Sequence, residues 1–278
     1  MKPINWPETL VKCKNNVKRH LAPLLRTIDE PQLDLGVGAG GDPIKKTDLT
    51  AEKAIIESLT ALKVSFTLIS EESGILEYGE NPQERYVTVD PIDGTTNLLR
   101  GLPFYATSIA VSDKPFLKSV HASLVADLLH GTTYTAQKDR GAFRDGHQIS
   151  PSKNTSLDEA VIGMDLNSYK VDLIAPRLTE LIKKTRHIRH FGANALELCY
   201  VADGTTDAFI DLRGKLRTTD VAAALLILKE AGALTTAPDG EPLNTRLDPK
   251  QKVEFIAAAN ARIHRQILSL IRAGKEEK

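Results

Sequence analysis

One stretch, residues 89–97, constrains this chain more than any other part of it. It reads Val-Asp-Pro-Ile-Asp-Gly-Thr-Thr-Asn and follows an apolar, β-branched segment, a pattern that predicts a buried strand, a tight turn and the start of a helix. Pro91 stiffens the turn, and Gly94 permits a close backbone approach. The carboxylates of Asp90 and Asp93 are therefore expected to converge with hydroxyl groups and a helix N-terminus, a combination that suits divalent cations and phosphate.

The composition disfavours several functional classes. The 278 residues suffice for one large domain or two fused halves. Thirty-six basic residues balance 36 acidic ones, so no net charge favours nucleic acid or an anionic membrane, although a local basic cluster can bind a small anion. No apolar run approaches the ~18 residues of a membrane span, and residues 1–7 lack the hydrophobic region of a signal peptide. We therefore expect neither a nucleic-acid nor a membrane partner.

The two cysteines indicate a reducing environment. Cys13 and Cys199 both lie in amphipathic helical patterns, which predict buried, reduced thiols. This usage fits a cytoplasmic protein.

Hydrophobic periodicity divides the chain into two halves. Residues 1–150 predict two helices followed by an antiparallel-rich sheet, in which an Asp-Gly pair at 145–146 marks a hairpin turn. Residues 151–278 alternate predicted strands and helices. The pattern predicts a layered α+β fold, in which the two halves form one compact unit.

A glycine-rich segment, residues 36–42, has two interpretations. It is either a flexible loop or a mobile flap whose backbone can approach a ligand. A nucleotide-binding P-loop is not favoured, because no Gly-Lys-Ser/Thr follows the segment at the required spacing.

Three acidic residues are each ambiguous when they are considered singly. Asp48 lies at the predicted start of a helix and is most simply a helix cap. Glu71 ends a short apolar strand, where it belongs either to a solvated turn or, after folding, beside the 89–97 turn. Asp220 precedes a long apolar helix, 221–231, and considered alone it is an N-cap.

A basic segment, residues 186–190, also leaves two interpretations open. Its sequence, Arg-His-Ile-Arg-His, is either a solvated basic edge or a phosphate-binding element. A metal site built on its histidines is not favoured, because no nearby carboxylate or cysteine shares their spacing.

Three acidic segments take on a common meaning when they are combined. Together they closely resemble the inositol monophosphatase superfamily, and the resemblance covers almost the whole chain. The segments are Glu71-Glu72-Ser73, Asp90-Pro91-Ile92-Asp93-Gly94-Thr95-Thr96-Asn97 and Thr219-Asp220-Val221-Ala222-Ala223. The resemblance implies an αβαβα layered sandwich, the α+β fold of inositol monophosphatases, fructose-1,6-bisphosphatases and sugar phosphatases, and it implies a homodimer.

Within the superfamily, the chain is most similar to the archaeal-type enzymes that hydrolyse both fructose 1,6-bisphosphate and inositol 1-phosphate. The segments that carry this similarity are 38–42, 189–193 and 211–217. Thr219 stands where animal-type inositol monophosphatases have a tryptophan, which argues against an inositol-only substrate. The resemblance therefore implies a Mg²⁺-dependent phosphomonoesterase that acts on small sugar and polyol phosphates.

The resemblance also implies two Mg²⁺ ions. Glu71, Asp90 and the carbonyl oxygen of Ile92 would hold one ion, and Asp90, Asp93 and Asp220 would hold the second. The first half of the chain would supply most ligands and the second half the last one. Two ions about 4 Å apart activate a water and stabilise the leaving oxygen during in-line attack.

Catalytic and substrate-binding residues follow from the same resemblance. Thr95 would orient the attacking water, Asp48 would accept a hydrogen bond from Thr95, and Glu71 completes the predicted catalytic set. Asp42 and its glycine-rich loop would close the site and recruit a third, weaker Mg²⁺. Arginine suits a second, non-reacting phosphate because its fork binds two oxygens. The predicted substrate-binding residues are Asp93, Gly94, Thr95, Ser168, Tyr169, Arg189, Arg213 and Arg217.

Two other functions are alternatives. One is a 3′-phosphoadenosine 5′-phosphate phosphatase of the same superfamily, and the other is a non-catalytic regulatory member that acts through protein or RNA partners. All five predicted metal-ligand positions carry a suitable residue, which favours an active enzyme.

Overall fold

The protein, described by a computed structural model over residues 4–26, 35–166 and 170–276, folds into alternating layers of helices and sheets. Amphipathic sequence with buried apolar faces forms the helices. The helices are α1 (Trp6–Leu24), α2 (Lys46–Thr60), α3 (Thr95–Arg100), α4 (Val171–Lys184), α5 (Asn194–Ala202), α6 (Thr218–Ala231) and α7 (Ala261–Glu276).

The first sheet carries the residues of the 89–97 stretch. Its strands are β1 (Phe66–Ser70), β2 (Gly74–Tyr78), β3 (Tyr86–Asp93), β4 (Ala106–Ser112), β5 (Val120–Asp127), β6 (Thr133–Gln137), β7 (Ala142–Arg144) and β8 (His147–Gln148). They lie in the order β2-β1-β3-β4-β5-β6-β7-β8. The β1–β3 pair is parallel and the other neighbours are antiparallel, as the sequence predicts for this half.

The second sheet is smaller and mixed. Its strands are β9 (Val161–Met164), β10 (His187–Arg189), β11 (Ala208–Asp211), β12 (Leu234–Thr236) and β13 (Phe255–Ala258). They lie in the order β10-β9-β11-β13-β12, with β10, β9 and β11 parallel to one another and β13 antiparallel to both of its neighbours.

Three apolar cores hold the layers together. One core joins α1 and α2 to the first sheet, a second joins α4 and α7 to the second sheet, and the third places α5 and α6 between the two sheets. This order of layers is αβαβα, so the predicted α+β sandwich is confirmed. Because α5 and α6 come from the second half of the chain and pack on the first sheet, they cover apolar surface of both halves at once.

The structure places three predicted boundaries differently. Asp90 and Asp93 lie within β3 rather than in a turn after it, and the β3–β4 register shifts between them because Pro91 cannot donate to the ladder. Helix α2 begins at Lys46, so Asp48 lies in its first turn and is not its cap. Asp220 is the third residue of α6, where its carboxylate accepts a hydrogen bond from the backbone N–H of Arg217.

The remaining expectations about the scaffold concern the thiols and membranes. Cys13 and Cys199 are buried and free, as predicted. Burial raises the pKa of the Cys13 thiol to about 12, which keeps it protonated. Across the described ranges, no helix is both long enough and apolar enough to cross a bilayer.

Gly163 provides a sharp test of packing in the second sheet. It pairs with Phe209 across β9 and β11, and a Cβ atom added to it would lie 2.5 Å from Cδ2 of the Phe209 ring. Gly163→Ala is therefore expected to lower the free energy of unfolding by about 1–3 kcal/mol, the usual range for overpacking a core. Denaturant unfolding measures this change.

The matched control for this prediction is the same substitution in a Phe209→Leu background. The smaller side chain leaves room for the added methyl group, so Gly163→Ala should cost less there. An equal cost in both backgrounds would contradict close contact with the ring as the cause.

Candidate active site

The site forms where β1 ends beside the last residues of β3. Their parallel register pairs Ser70 with Val89, so the next residues along the two strands, Glu71 and Asp90, are neighbours in space. The start of α6 brings Asp220 to the same point, and a cavity of about 340 Å³ opens there.

Most of the predicted site residues line this cavity. Those that do are Asp42, Asp48, Glu71, Asp90, Ile92, Asp93, Gly94, Thr95, Arg213, Arg217 and Asp220. Arg189 lies on the edge strand β10, is exposed, and does not line the cavity that the structure describes. Ser168 and Tyr169 lie outside the described residues.

Two overlapping groups of carboxylates converge in the cavity. One oxygen each from Glu71, Asp90 and Asp220 lies within 4.8 Å of the others, and Asp48, Glu71 and Glu72 form a second group within the same distance. Oxygen ligands at this spacing are what hard divalent cations bind.

Burial makes the charge of these acids costly. Burial is the main cause that raises the pKa of Glu71 to about 8, and the nearby Asp220 raises it further. The same cause raises the pKa of Asp93 to about 7 and holds that of Asp90 well above its ordinary value. The protein therefore brings together several buried carboxylates that can all be ionised at once only when a cation is bound among them.

One oxygen of Asp90 agrees with a metal ion at this position. Its Oδ1 atom is buried and has no hydrogen-bond partner, although a buried polar oxygen is normally satisfied. A divalent cation held by Asp90, Glu71 and Asp220 would satisfy that oxygen and offset two of the three negative charges.

Thr95 and Asp48 form a second unit beside the acidic group. The hydroxyl oxygen of Thr95 lies 2.6 Å from Oδ1 of Asp48 and 2.9 Å from the carbonyl oxygen of Ile92, and its single proton can be donated to either. The other carboxylate oxygen of Asp48 accepts a hydrogen bond from Thr47 at 2.7 Å. The two side chains therefore lie at the distance that the hydrogen bond implied by the resemblance requires.

Asp93 also has a structural role that the sequence does not reveal. Its two oxygens accept hydrogen bonds from the N–H groups of Asn194 (3.0 Å) and Ala195 (2.6 Å), at the start of α5. A carboxylate at a helix N-terminus is stabilised by the free N–H groups and the helix dipole. Asp93 therefore fastens the middle helical layer to the end of β3.

Gly94 connects β3 to α3 in a backbone conformation that requires glycine. Its φ is +88°, and a Cβ atom there would lie 3.0 Å from Cβ of Ala193 and 3.1 Å from the carbonyl oxygen of Phe104. This close packing fixes the start of α3 at the cavity, which Gly94, Thr95 and Thr96 line.

Four charged residues that line the cavity were not among the predicted site residues, namely Lys45, Glu72, Asp165 and Lys215. Glu72 lines the cavity beside Asp48 and Glu71, and Lys45 and Lys215 line its basic side. Glu72 follows Glu71 directly, so the acidic pair itself was a signal that both carboxylates belong to the site. The lysines carry no comparable signal, because isolated lysines are common on any surface.

Arg213 lines the cavity with its charge already balanced. Its side chain is only 2% exposed, and its guanidinium donates to Asp211 and lies 2.5 Å from an oxygen of Asp165. Asp165 also lines the cavity. Any substrate that reaches Arg213 would meet an ion-paired group rather than a free cation.

The 190–193 segment is fixed at the rim of the cavity by two buried side chains. Oε1 of Glu197 accepts hydrogen bonds from the N–H groups of Phe191 and Gly192, both at 3.0 Å. Asn97 donates to the carbonyl oxygens of Phe191 and Phe104, both at 2.7 Å. These hydrogen bonds hold the 190–193 segment in a fixed position relative to the group of carboxylates in the cavity.

Comparison with known proteins accounts for this arrangement. The sequence profile of the inositol monophosphatase family matches residues 6–276. The chain belongs to the inositol monophosphatase family. The family's phosphatases are metal-dependent, and this member is accordingly a metal-dependent phosphoric monoester hydrolase.

Individual relatives carry related names. A fructose-1,6-bisphosphatase/inositol-1-monophosphatase of Methanothermobacter thermautotrophicus is 35% identical, over 96% of this chain and 96% of the relative. One of the same name from Archaeoglobus fulgidus is 37% identical, over 86% of this chain and 88% of the relative. A bifunctional NADP phosphatase/NAD kinase of Methanococcus maripaludis is 35% identical, over 84% of this chain but 44% of the relative.

A solved structure agrees with the fold of this family member. The crystal structure of an inositol monophosphatase–fructose 1,6-bisphosphatase is 31% identical and superposes with a TM-score of 0.84, over 96% of this chain and all (100%) of that one. The family and the fold inferred from the sequence are both confirmed.

Glu197 generates a prediction about pH. Burial raises its pKa to about 8, so between the unfolded value of 4.5 and about 8 the folded state binds the extra proton. The stability that this proton contributes is present at low pH and is lost as the pH rises through that window. We expect Glu197→Gln to remove this loss, so its free energy of unfolding relative to wild type should rise from about pH 5 to about pH 8.

Denaturant unfolding at the two pH values measures the effect. Glu180→Gln, which alters a partly exposed glutamate on α4 that pairs with Lys183, is the control and should show no such rise. Parallel pH profiles for wild type and Glu197→Gln would show that Glu197 is ionised in the folded protein throughout.

Proposed function

We propose that this phosphatase hydrolyses small sugar and polyol phosphates in a Mg²⁺-dependent reaction, with fructose 1,6-bisphosphate and inositol 1-phosphate as its substrates. The observation that carries the proposal is the group of buried carboxylates at the cavity, with one oxygen of Asp90 left without a partner. The names of the relatives support the choice of substrates.

The predicted ligands divide between two Mg²⁺ ions. Glu71, Asp90 and the carbonyl oxygen of Ile92 would hold the first ion, and Asp90, Asp93 and Asp220 the second. The loop residue Asp42, which lines the same cavity, is the proposed ligand of a third, weaker ion. When bound, Mg²⁺ supplies Lewis-acid stabilisation of phosphoryl oxygens and lowers the pKa of a bound water.

The protein's own groups orient the water and the phosphate. When Asp48 Oδ1 accepts the Thr95 proton, the lone pairs of the Thr95 hydroxyl are free to accept a proton of the attacking water. The N–H groups of Gly94 and Thr95, at the start of α3, have no partner within the helix and are positioned to donate to phosphate oxygens. This arrangement fixes the direction from which water approaches phosphorus.

A bisphosphate needs cations for its second, non-reacting phosphate. Arg217, Lys45 and Lys215 line the cavity together with the acids and supply positive charge there. Ser168, Tyr169, Arg189 and Arg213 stay predicted substrate-binding residues. We further propose that the enzyme is a cytoplasmic homodimer.

Substrate preference tests the proposal. Release of inorganic phosphate would be measured as kcat/KM for fructose 1,6-bisphosphate, inositol 1-phosphate, glycerol phosphate, 3′-phosphoadenosine 5′-phosphate and NADP⁺, each with Mg²⁺ and with EDTA. We expect Mg²⁺-dependent turnover that is highest with the first two substrates. A preference for either adenine nucleotide would replace the proposed specificity, and no turnover of any substrate would support the non-catalytic alternative.

Asp90→Asn tests the role of the buried carboxylates. The substitution keeps the shape of the side chain but removes one charge, so we expect kcat/KM to fall by about 1,000-fold, or ~4 kcal/mol of transition-state stabilisation. In EDTA at neutral pH the same variant should unfold at a higher temperature than wild type. Without a metal ion, folding makes Asp90 either take up a proton or bury an unpartnered charge, and asparagine avoids both costs.

The control for Asp90→Asn is Asp158→Asn, at an exposed position, which should change neither property. The pairing of a large loss of activity with a gain in metal-free stability is the distinguishing result. Loss of both activity and stability would instead indicate that Asp90 is needed for folding.

A further inference from the structure

Arg217 is placed at the centre of the acidic site. It directly precedes α6, its side chain is only 8% exposed, and its guanidinium forms ion pairs with Glu71 and Asp42. The same group lies 3.8 Å from an oxygen of Asp220. Within the described ranges, Arg217 is the only cation within ion-pair distance of Glu71 or Asp220, two of the predicted metal ligands.

The contact with Asp42 connects this cation to the glycine-rich loop. Asp42 is 65% exposed, so its pairing with Arg217 fixes an otherwise solvent-facing side chain. The loop is also joined to the acidic strand end, since the N–H of Gly40 donates to the carbonyl oxygen of Glu71 at 2.7 Å and that of Ala39 to the carbonyl oxygen of Glu72 at 3.0 Å. One guanidinium therefore links the loop, the end of β1 and the start of α6.

Gly40 provides the space that this arrangement needs. A Cβ atom on Gly40 would lie 2.9 Å from Cζ and Nε of Arg217. The backbone of Gly40 is outside the left-handed region, so its need for glycine comes from the packing against Arg217. The 36–42 loop can therefore pack against the Arg217 side chain in this position only because residue 40 has no Cβ atom.

Electrostatics makes this position incompatible with a bound cation. Burial lowers the pKa of Arg217, but Asp220 and Glu71 raise it by more, so the guanidinium stays charged. A divalent cation on Glu71 and Asp220 would lie within a few ångströms of this positive group, where like charges repel strongly in a site shielded from water.

We propose that Arg217 is a latch that competes with the divalent cation for Glu71. In the metal-free protein its guanidinium balances the charge of the acidic group and holds the 36–42 loop. When the cation binds, Arg217 releases both the acidic group and the loop. This inference rests on the proposed metal site but concerns how the site is held before it is loaded. Release would leave the guanidinium free to turn towards the cavity that it lines, where a substrate phosphate is its natural partner.

Calorimetric titration of the EDTA-treated, dialysed full chain with Mg²⁺, without substrate, tests the latch. Arg217→Met removes the competing charge, so we expect its Mg²⁺ Kd to fall by about tenfold, a coupling of ordinary size between two binding events. The metal-free variant should also melt at a lower temperature than wild type, because its acids have lost their counter-charge.

Lys215→Met is the matched control. It removes one charge from the wall of the same cavity, and Lys215 forms no ion pair with a carboxylate among the residues that the structure describes. We expect its Mg²⁺ Kd and its melting temperature in EDTA to change much less than those of Arg217→Met.

Gly40→Ala keeps every charge and still disturbs the latch. The added methyl group displaces the flexible end of Arg217, so the Mg²⁺ Kd should fall in the same direction, and in EDTA the 36–42 loop should be cut faster by subtilisin than in wild type. Weaker or unchanged Mg²⁺ binding by Arg217→Met, or wild-type behaviour of Gly40→Ala, overturns the proposal.

The outcome is separable from that of the proposed function. Mg²⁺ binding by wild type without any release of phosphate would overturn the proposed activity and leave the latch standing. No Mg²⁺ binding by wild type would overturn the latch and the two-ion site together.

Discussion

The site depends on one electrostatic constraint, namely that several carboxylates are buried together without enough positive charge to balance them. Glu71, Asp90 and Asp220 approach one another within 4.8 Å, and burial raises the pKa of both Glu71 and Asp90. Folding has to supply the free energy that holds such a group together, because these charges are far better solvated in water. The surrounding apolar cores provide that free energy, and a bound cation would relieve the cost.

Backbone geometry, rather than side-chain flexibility, brings these acids together. The parallel pairing of β1 with β3 sets Glu71 beside Asp90, and the bulge at Pro91 lets Asp90 and Asp93 serve different neighbours within one strand. Asp220 lies in the first turn of α6, the longer helix of the middle layer. Sites built on strand ends and helix ends in this way keep their geometry better than sites on loops.

The sequence predicted the family and the layered fold, because the motifs around Glu71, Asp90 and Asp220 are specific in combination and the hydrophobic periodicity is clear. Singly, the same acids were ambiguous, since a carboxylate near a helix start is usually a cap. The capping of α5 by Asp93 and the ion pair between Arg213 and Asp165 could not be predicted. Both depend on residues far apart in the chain, and local pattern carries no information about such contacts.

The middle layer has a consequence for how such proteins can be assembled in evolution. Helices α5 and α6 belong to the second half of the chain, yet one apolar core packs them against the first sheet as well as their own. A first half separated from the second would expose a broad apolar sheet face, and the active site would lack Asp220, which α6 supplies. The two halves are therefore not interchangeable modules. If either half were replaced by another domain, a new apolar interface and a new active site would have to form at the same time.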